Sequence, residues 1–392
     1  MARIFLKERI SNRIKKGHPW IYDNEIEKVE GDFENGSIVD VFRYDGTFLG
    51  KGFINERSKI RVRLLTRRNE NIDRDFFIKK IKEAVIFRRR YVKDTEAFRV
   101  FYSESDGISG LIVDKYSDYL VVQFNSLGVY KWKNVIIDIF IELLKPKGIY
   151  HKLDKNICAK EGIPQSEGWI FGTGPELLKY RTGDVVLFAD LHGQKTGAFL
   201  DQRENARMLM KFAENKICLD AFSYTGNFAV HLLKGGAKHV TLIDYSNRAL
   251  EVAKLTLNSN GFNGSFAEFV NANVFDQLRK YYENNIKFDL IVLDPPSFAK
   301  SSRSKSNSLR GYKEINLRSM KILKNRGILA TSSCTRIVFE NEFEKILFET
   351  SGDAKCFLKT IARGFQPIDH PPVLNIPETK YLKFFILEVV KL

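Results

Sequence analysis

From about Gly183 onward the chain alternates short apolar runs with helical stretches, and this restricts its fold more than any other feature. ICLDAF, HVTLIDY, AEFVNANVF, FDLIVLD and GILATSS read as buried strands, and YLKFFILEVVKL as one more after the Pro-rich HPPVLNIP. Strands separated by helices pair in parallel and need helices over both sheet faces. Ligands then bind where the strands' carboxyl ends emerge. Two such ends carry reactive groups: KFDLIVLDPPSF stops at Asp294-Pro295-Pro296, and GILATSSCT stops at Cys334. An acid and a thiol facing one pocket suit chemistry on a pyrimidine ring, with a sulfur to add to the ring and an acid to steady its nitrogens.

A second constellation lies in ICLDAFSYTGNFAVHLLKGGAKHVTLIDYS, a strand–loop–helix–strand unit. The loop opens after Asp220, turns at Gly226 and leads into a helix at Phe228. Glycine there lets a ligand approach backbone at a helix N-terminus. Asp244 ends the next strand, where an acid accepts hydrogen bonds from ribose hydroxyls. The dinucleotide fingerprint GxGxxG is absent, with one glycine where three are expected. A pyrophosphate therefore fits poorly and a nucleoside cofactor fits better. S-adenosylmethionine, another nucleotide and a bare structural turn are the three readings of this loop.

The N-terminal half has a different grammar. SIVDVF, TFLGKGFI and KIRVRLL are short strands separated by turn residues, and Arg61 and Arg63 share one face of the last. DRDFFIKKIKEAVIFRRRYV reads as a helix ending in Arg88-Arg89-Arg90, a triplet that suits either a helix C-terminus and solvent or RNA contact. A mixed unit follows from Phe98 to Arg181. Net charge is +15, concentrated in two windows: Lys51–Val100 has 16 basic against 7 acidic residues, and Ala299–Arg326 has 9 against 1. Clustered positive charge is the footprint of a nucleic-acid partner, with a generically lysine-rich proteome as the plainer explanation. KSSRSKSNS (300–308) reads as a mobile basic loop. No apolar run spans a membrane, the charged N-terminus lacks a signal core, and four scattered cysteines suggest neither disulfides nor zinc. A reduced cytoplasmic protein without metal is expected, and a homo-oligomer stays open.

At this point the chain resembles a known family, the PUA-domain-containing class I methyltransferases that modify carbon 5 of cytosine in large-subunit (23S) ribosomal RNA. KGHPWIYDNEI and GTFLGKGFINERSKIRVRLLT resemble its N-terminal RNA-binding PUA module, and FYSESDGISGLIVDKYSDYLVVQ its central domain. GQKTGAFLDQRENA, DAFSYTGNFAV, DPPSFAKS, RGYKEINL and SSCT resemble its catalytic domain. The resemblance implies an α/β fold: a C-terminal Rossmann-like methyltransferase sheet (183–392), a β-rich PUA domain (1–72) and a central α+β domain (73–182). S-adenosylmethionine is the implied cofactor and RNA the implied partner. Carried over by position, Thr196, Phe199, Asp201, Gln202 and Arg203 would line the cofactor cleft. Ser223, Tyr224, Thr225 and Gly226 would surround the methionine end. Asp220 and Asp244 join them, with Asp244 on the ribose; Asn273 stands where the adenine amine is read, and Val274 and Phe275 complete the cofactor-binding set. Asp294 and Pro295 would face the target base, with Cys334 as nucleophile. Three positions depart from the family pattern: Asn227 replaces a second glycine, Asn273 an acid, and Ala198 a bulkier residue or glycine.

Carbon 5 of cytosine is a poor nucleophile until a thiolate adds to carbon 6 and makes carbon 5 enamine-like. A thiol of pKa about 8.5 is only a few per cent ionised near neutrality, so the site must lower that pKa or work with a small fraction. Asp294 would hydrogen-bond the ring nitrogen and exocyclic amine as negative charge enters the ring. A buried cysteine that merely packs is the bland alternative for Cys334, but three small polar residues before it make a poor core strand. Cys158, Cys218 and Cys356 read as structural. Ser297 stands where related enzymes carry a second, product-releasing cysteine, which leaves the release step and the proton-removing base unassigned. Phe298 and Tyr312 are candidates to stack on a splayed base or simply to pack. Two other functions compete: amino-group methylation, disfavoured because Ser297 intervenes before the aromatic, and a non-catalytic RNA-binding or assembly factor.

Overall fold

The computed structural model describes residues 1–298 and 305–392 and comprises two compact units. The first contains Met1–Leu178, Gln194–Gly197 and Ile368–Thr379; the second contains Lys179–Gly193, Ala198–Pro367 and Lys380–Leu392.

In the first unit, strands β1 (Arg3–Leu6), β2 (Trp20–Tyr22), β3 (Ile26–Glu30), β4 (Ile38–Phe42), β5 (Phe48–Ile54) and β6 (Ile60–Thr66) form one sheet, with a short helix α1 (Asn12–Lys15) after β1. Its order is β2-β6-β5-β4-β1-β3. A second sheet joins β7 (Ala97–Tyr102), β8 (Leu111–Tyr116), β9 (Tyr119–Phe124), β10 (Gly148–His151) and β11 (Gly168–Gly172) in the order β11-β10-β9-β8-β7. Helices α2 (Arg74–Tyr91), α3 (Leu127–Lys131), α4 (Lys133–Leu144) and α5 (Lys155–Glu161) accompany it. Asp73 caps α2 by accepting from the Phe76 amide at 3.1 Å. The apolar stripe of α2 (Phe77, Ile81, Val85) packs with Ile136 and Phe140 of α4 over the second sheet, and Phe53 and Leu65 of the first sheet enter the same core.

In each of two basic features of the sequence one arginine is internal. Arg88 is 1% exposed; its guanidinium meets Asp106 at 2.5 Å and donates to the carbonyls of Arg99 and Asp369. Arg63 is buried against Ser109 and Glu161, while its face-mate Arg61 meets Asp23. Their charges serve packing because each found a carboxylate.

The second unit opens with a ribbon of β12 (Leu177–Thr182) and β13 (Val185–Asp190). Helix α6 (Arg203–Leu209) precedes the main alternation: β14 (Ile217–Ala221), α7 (Asn227–Lys234), β15 (His239–Asp244), α8 (Asn247–Ser259), β16 (Ala267–Asn271), α9 (Val274–Glu283) and β17 (Phe288–Leu293). Then come α10 (Lys305–Ile322), β18 (Leu323–Ser333), α11 (Glu340–Asp353), β19 (Cys356–Gly364) and β20 (Lys383–Lys391). The seven-stranded order is β16-β15-β14-β17-β18-β20-β19, so the order reverses between β14 and β17. The first five strands in that order are parallel, as expected. β20 departs from the expectation: it inserts between β18 and β19 and runs antiparallel to both.

Alternate residues of the central strands (Leu219, Ala221, Ile291, Leu293, Phe385, Leu387) pack on α9, α10 and α11. The other face meets α7, where Phe228 stacks on Phe384 at 5.8 Å. AEFVNANVF divides, its tail becoming the first turn of α9. Of the basic stretch 300–308, residues 305–308 are the first turn of α10 and not a loop, and residues 300–304 lie outside the described residues.

Candidate active site

At the end of β14 the chain makes a tight turn whose backbone is strained. Phe222 and Tyr224 adopt φ of 66° and 46°, and Gly226 adopts 81°. Left-handed backbone costs a residue with a Cβ about 1–2 kcal/mol, and such strain gathers at functional loops. Glycine is required at 226 because an added Cβ would stand 3.1 Å from the Ala253 Cβ of α8. The turn is pinned to β15: the Ser223 amide donates to the Ile243 carbonyl at 3.0 Å, and the Tyr224 amide to Asp244 Oδ2 at 2.9 Å. Asp244 Oδ1 accepts from the Ser246 amide, so this acid both ends β15 and shapes the loop. Ser223 and Thr225 are buried, and the Phe199 ring meets Tyr224 edge-on at 5.0 Å.

Asp220 is engaged with the helix that follows the loop. It is fully buried on the α7 side of the sheet, where Oδ2 accepts from the Ala229 amide at 2.9 Å. Oδ1 has no partner among the described residues. Burial pushes its pKa up to about 8, with the nearby Asp294 and Asp244 adding to the rise. Through that bond Asp220 braces the first turn of α7. Asn227, at the start of α7, likewise holds a buried amide oxygen with no partner among the described residues. At the end of β16, Asn273 caps α9 by accepting from the Phe275 amide. The Val274 side chain belongs to the core, and Phe275 packs against that core and against Phe298.

Asp294 begins where β17 ends, beside the strand-order reversal, and its amide reaches the Ala221 carbonyl at 3.4 Å. One oxygen, Oδ1, accepts from Gln202 Nε2 at 2.6 Å and from Ser332 Oγ at 2.5 Å. Gln202 is oriented in turn by Asn205 Nδ2 on its own Oε1, and Asp201 accepts from the Tyr381 hydroxyl at 2.7 Å. Gln202 and Ser332, one from the FLDQR segment and one from β18, thus aim a single carboxylate. Arg203 is buried beside Glu204. Thr196 belongs to the first unit, where its hydroxyl donates to Asp114 and pairs with Tyr116.

Cys334 is the first residue past β18 and is partly exposed, whereas Cys158, Cys218 and Cys356 are buried. Its sulfur lies 3.8 Å from the Pro295 carbonyl, which puts the thiol against the Asp294-Pro295 segment. Thr335 next to it is a buried hub. Its hydroxyl meets Ser297 Oγ at 3.1 Å and Tyr312 OH at 2.8 Å, and its carbonyl accepts from Lys383 Nζ at 2.8 Å. Sequence reasoning singled out neither Gln202 as the partner of Asp294 nor Ser332 and Lys383. Tyr312 is not a stacking platform, because it is fully buried between Phe298 and Phe343. Phe298 packs at 4.9 Å against it and is only partly covered.

Within the first unit a cleft of about 400 Å³ is lined by Arg67, Arg68, Lys79 and Lys80 together with Glu70, Glu83 and Glu104, beside Pro19 and Phe76. None of the four cations has a salt-bridge partner among the described residues, and Arg67 is held by the carbonyls of Ile14 and His18.

These residues fit S-adenosylmethionine: the left-handed turn through Phe222, Tyr224 and Gly226 opens at the end of β14, the Asn227 amide oxygen is buried with no partner among the described residues, and Asp244 supplies a carboxylate at the strand end. Residues 4–67 match a PUA-like domain, and residues 168–384 match an S-adenosylmethionine-dependent methyltransferase domain. The proteins named ribosomal RNA large subunit methyltransferase I from Aliivibrio fischeri (strain ATCC 700601 / ES114) and Vibrio cholerae (El Tor Inaba N16961) are each 37% identical, covering 99% of this chain and 99% of their own. A crystal structure of SMU.776, a putative methyltransferase complexed with SAH, shares the fold at a TM-score of 0.87 and 22% identity, with 99% of this chain and 100% of that one covered. A putative SAM-dependent methyltransferase from Streptococcus mutans gives 0.86 at the same identity and coverage. The chain belongs to the family of S-adenosylmethionine-dependent methyltransferases with a PUA-like domain whose named members are ribosomal RNA large subunit methyltransferases I.

Proposed function

We propose that this methyltransferase forms 5-methylcytosine in large-subunit ribosomal RNA through a covalent adduct on Cys334. The observation that carries this reading is the partly exposed Cys334 thiol, packed against the Pro295 carbonyl beside a carboxylate aimed by Gln202 and Ser332. The thiolate adds to carbon 6 of the cytosine, and the displaced electron pair makes carbon 5 nucleophilic. S-adenosylmethionine, when bound, supplies the electrophilic methyl group. Asp294 accepts from the exocyclic amine and steadies the ring while charge passes through it. Loss of the carbon-5 proton to a base then breaks the sulfur–carbon bond and frees the cysteine.

The division of labour we propose is RNA recognition by residues 1–72, support from a central domain at 73–182, and catalysis by 183–392. Arg67 and Arg68 of the first span and Lys79 and Lys80 just beyond it, without salt-bridge partners among the described residues, support phosphate contact in the first unit's cleft. Replacing Cys334 by Ala is expected to abolish methyl incorporation into ribosomal RNA while S-adenosylmethionine still binds. Nucleoside mass spectrometry of the wild-type product identifies the modified base. Full turnover by Cys334→Ala, or a product methylated on an amino group, would overturn the proposal.

A further inference from the structure

We propose that the Lys383 ammonium is the charge partner that keeps the Cys334 sulfur ionised, an inference that rests on the nucleophile reading above. Lys383 is the first residue of β20, and the antiparallel register sets it opposite Ser333, the residue before Cys334. Its side chain is drawn inward and is only 6% exposed. Nζ donates to the Thr335 carbonyl and to the Tyr381 carbonyl, both at 2.8 Å. An ammonium has three N–H donors, so one remains after those two are used. Neutral carbonyls orient a cation without cancelling its charge, and no carboxylate among the described residues forms a salt bridge with Lys383.

The surrounding charges are engaged elsewhere. Glu340 of α11 is met by Lys380 at 3.0 Å and Arg363 at 3.7 Å, and Glu342 by Lys305 at 2.6 Å. Tyr312 of α10 is kept neutral by burial, which raises its pKa. Asp294, at the end of β17, is held by Gln202 and Ser332. The Cys334 sulfur is what the leftover ammonium charge has to act on. Burial pushes the Lys383 pKa down to about 8, and the charge of Cys334 is the foremost influence holding it up. That relation is mutual: whatever the thiolate does for the ammonium, the ammonium does for the thiolate. Burial disfavours the charged form of any thiol, so a nearby uncompensated cation is what a half-buried nucleophile needs. The cysteine S–H passes its proton to solvent, Lys383 keeps its own, and the sulfur lone pair becomes available for carbon 6. Lys383 is a positioning residue that acts through the sulfur.

The test needs no RNA. Cys334 alkylation by iodoacetamide is followed by peptide mass spectrometry from pH 5.5 to 9.5, with S-adenosylmethionine binding as the check that each variant is folded. The wild-type midpoint is expected below the ordinary thiol value of about 8.5. Lys383→Met, which keeps length and removes charge, should raise it by about one unit, a tenfold loss of thiolate at pH 7. Lys383→Arg should bring it back, which a merely structural role would not predict. A wild-type midpoint at or above 8.5 overturns the proposal, and so does a folded Lys383→Met with an unchanged midpoint. If the Met variant does not fold, the wild-type midpoint alone decides. Turnover by Cys334→Ala would instead sink the nucleophile reading, with the alkylation profile left as it is.

Discussion

Replacing Asp220 by Asn should stabilise the protein near neutral pH and flatten its pH dependence. An unfolded aspartate has a pKa of 3.8, whereas the buried group stands at about 8. Between these values the folded protein holds a proton that the unfolded chain gives up, so stability falls as pH rises from about 4 to about 8. Each unit is worth about 1.4 kcal/mol, which makes the wild-type loss by pH 7 about 4 kcal/mol. The site is fully buried, so solvent screening does not reduce this figure. Asn keeps an oxygen for the Ala229 amide but puts NH₂ where Oδ1 has no partner, at a cost of about 1–3 kcal/mol. A net gain of about 1–3 kcal/mol at pH 7 remains, turning to a loss near pH 4. Urea unfolding of both proteins at several pH values, followed on the transition of the second unit, reads the difference directly. The histidines and surface carboxylates cancel between the two curves. If the curves stay parallel from pH 5 to 8, Asp220 is ionised in the fold and the reasoning fails.

Gly226→Ala should cost about 1–2 kcal/mol for left-handed backbone, more if Ala253 must shift. It should also weaken S-adenosylmethionine binding at least tenfold by calorimetry; unchanged affinity would remove the turn from the cofactor site. Gln202→Ala and Ser332→Ala each delete a bond to Asp294 Oδ1, worth about 1.5–3 kcal/mol for a charged acceptor. Steady-state kinetics should show kcat down about 10- to 100-fold, and because the two share one oxygen the double variant should lose less than the product of the singles. A double variant with wild-type kcat would refute the role of Asp294. Arg68→Ala, Lys79→Ala and Lys80→Ala together should lower the slope of log affinity for RNA against log salt by about 2–3, one phosphate contact each. An unchanged slope would place the RNA elsewhere; Arg67 is omitted because it holds two carbonyls.

The parallel strands β14, β15 and β17 were legible because each is a mostly apolar run buried on both faces. β19 was not: CFLKTIARG lies at the sheet edge, where lysine and arginine break up the apolar signal. The antiparallel course of β20 was equally hidden, since burial on two faces reads alike in either direction. Asp294 and Cys334 could be found because strand ends are visible in sequence, but the bond from Gln202 joins residues 92 apart and leaves no spacing to detect. The bond from Asp220 to the Ala229 amide was hidden as well, because it depends on the strand's alternation toward α7. Lys383 interrupts an apolar run and reads as one more solvated lysine; its burial depends on which carbonyls wait across the sheet. Arg88 misled in the same way, because a basic triplet at a helix end looks uniformly wet until Asp106 and Asp369 are in place.

The position of β20 also bears on how the sheet is assembled. β19 is made first yet, among the described residues, pairs only with β20, which is made later and lies between β19 and β18. During synthesis β19 therefore waits as a lone strand while the flank of β18 stands open beside it. A ribosome stalled anywhere in that interval would display an unsatisfied backbone ladder, the sort of surface that chaperones cover and neighbouring nascent chains invade.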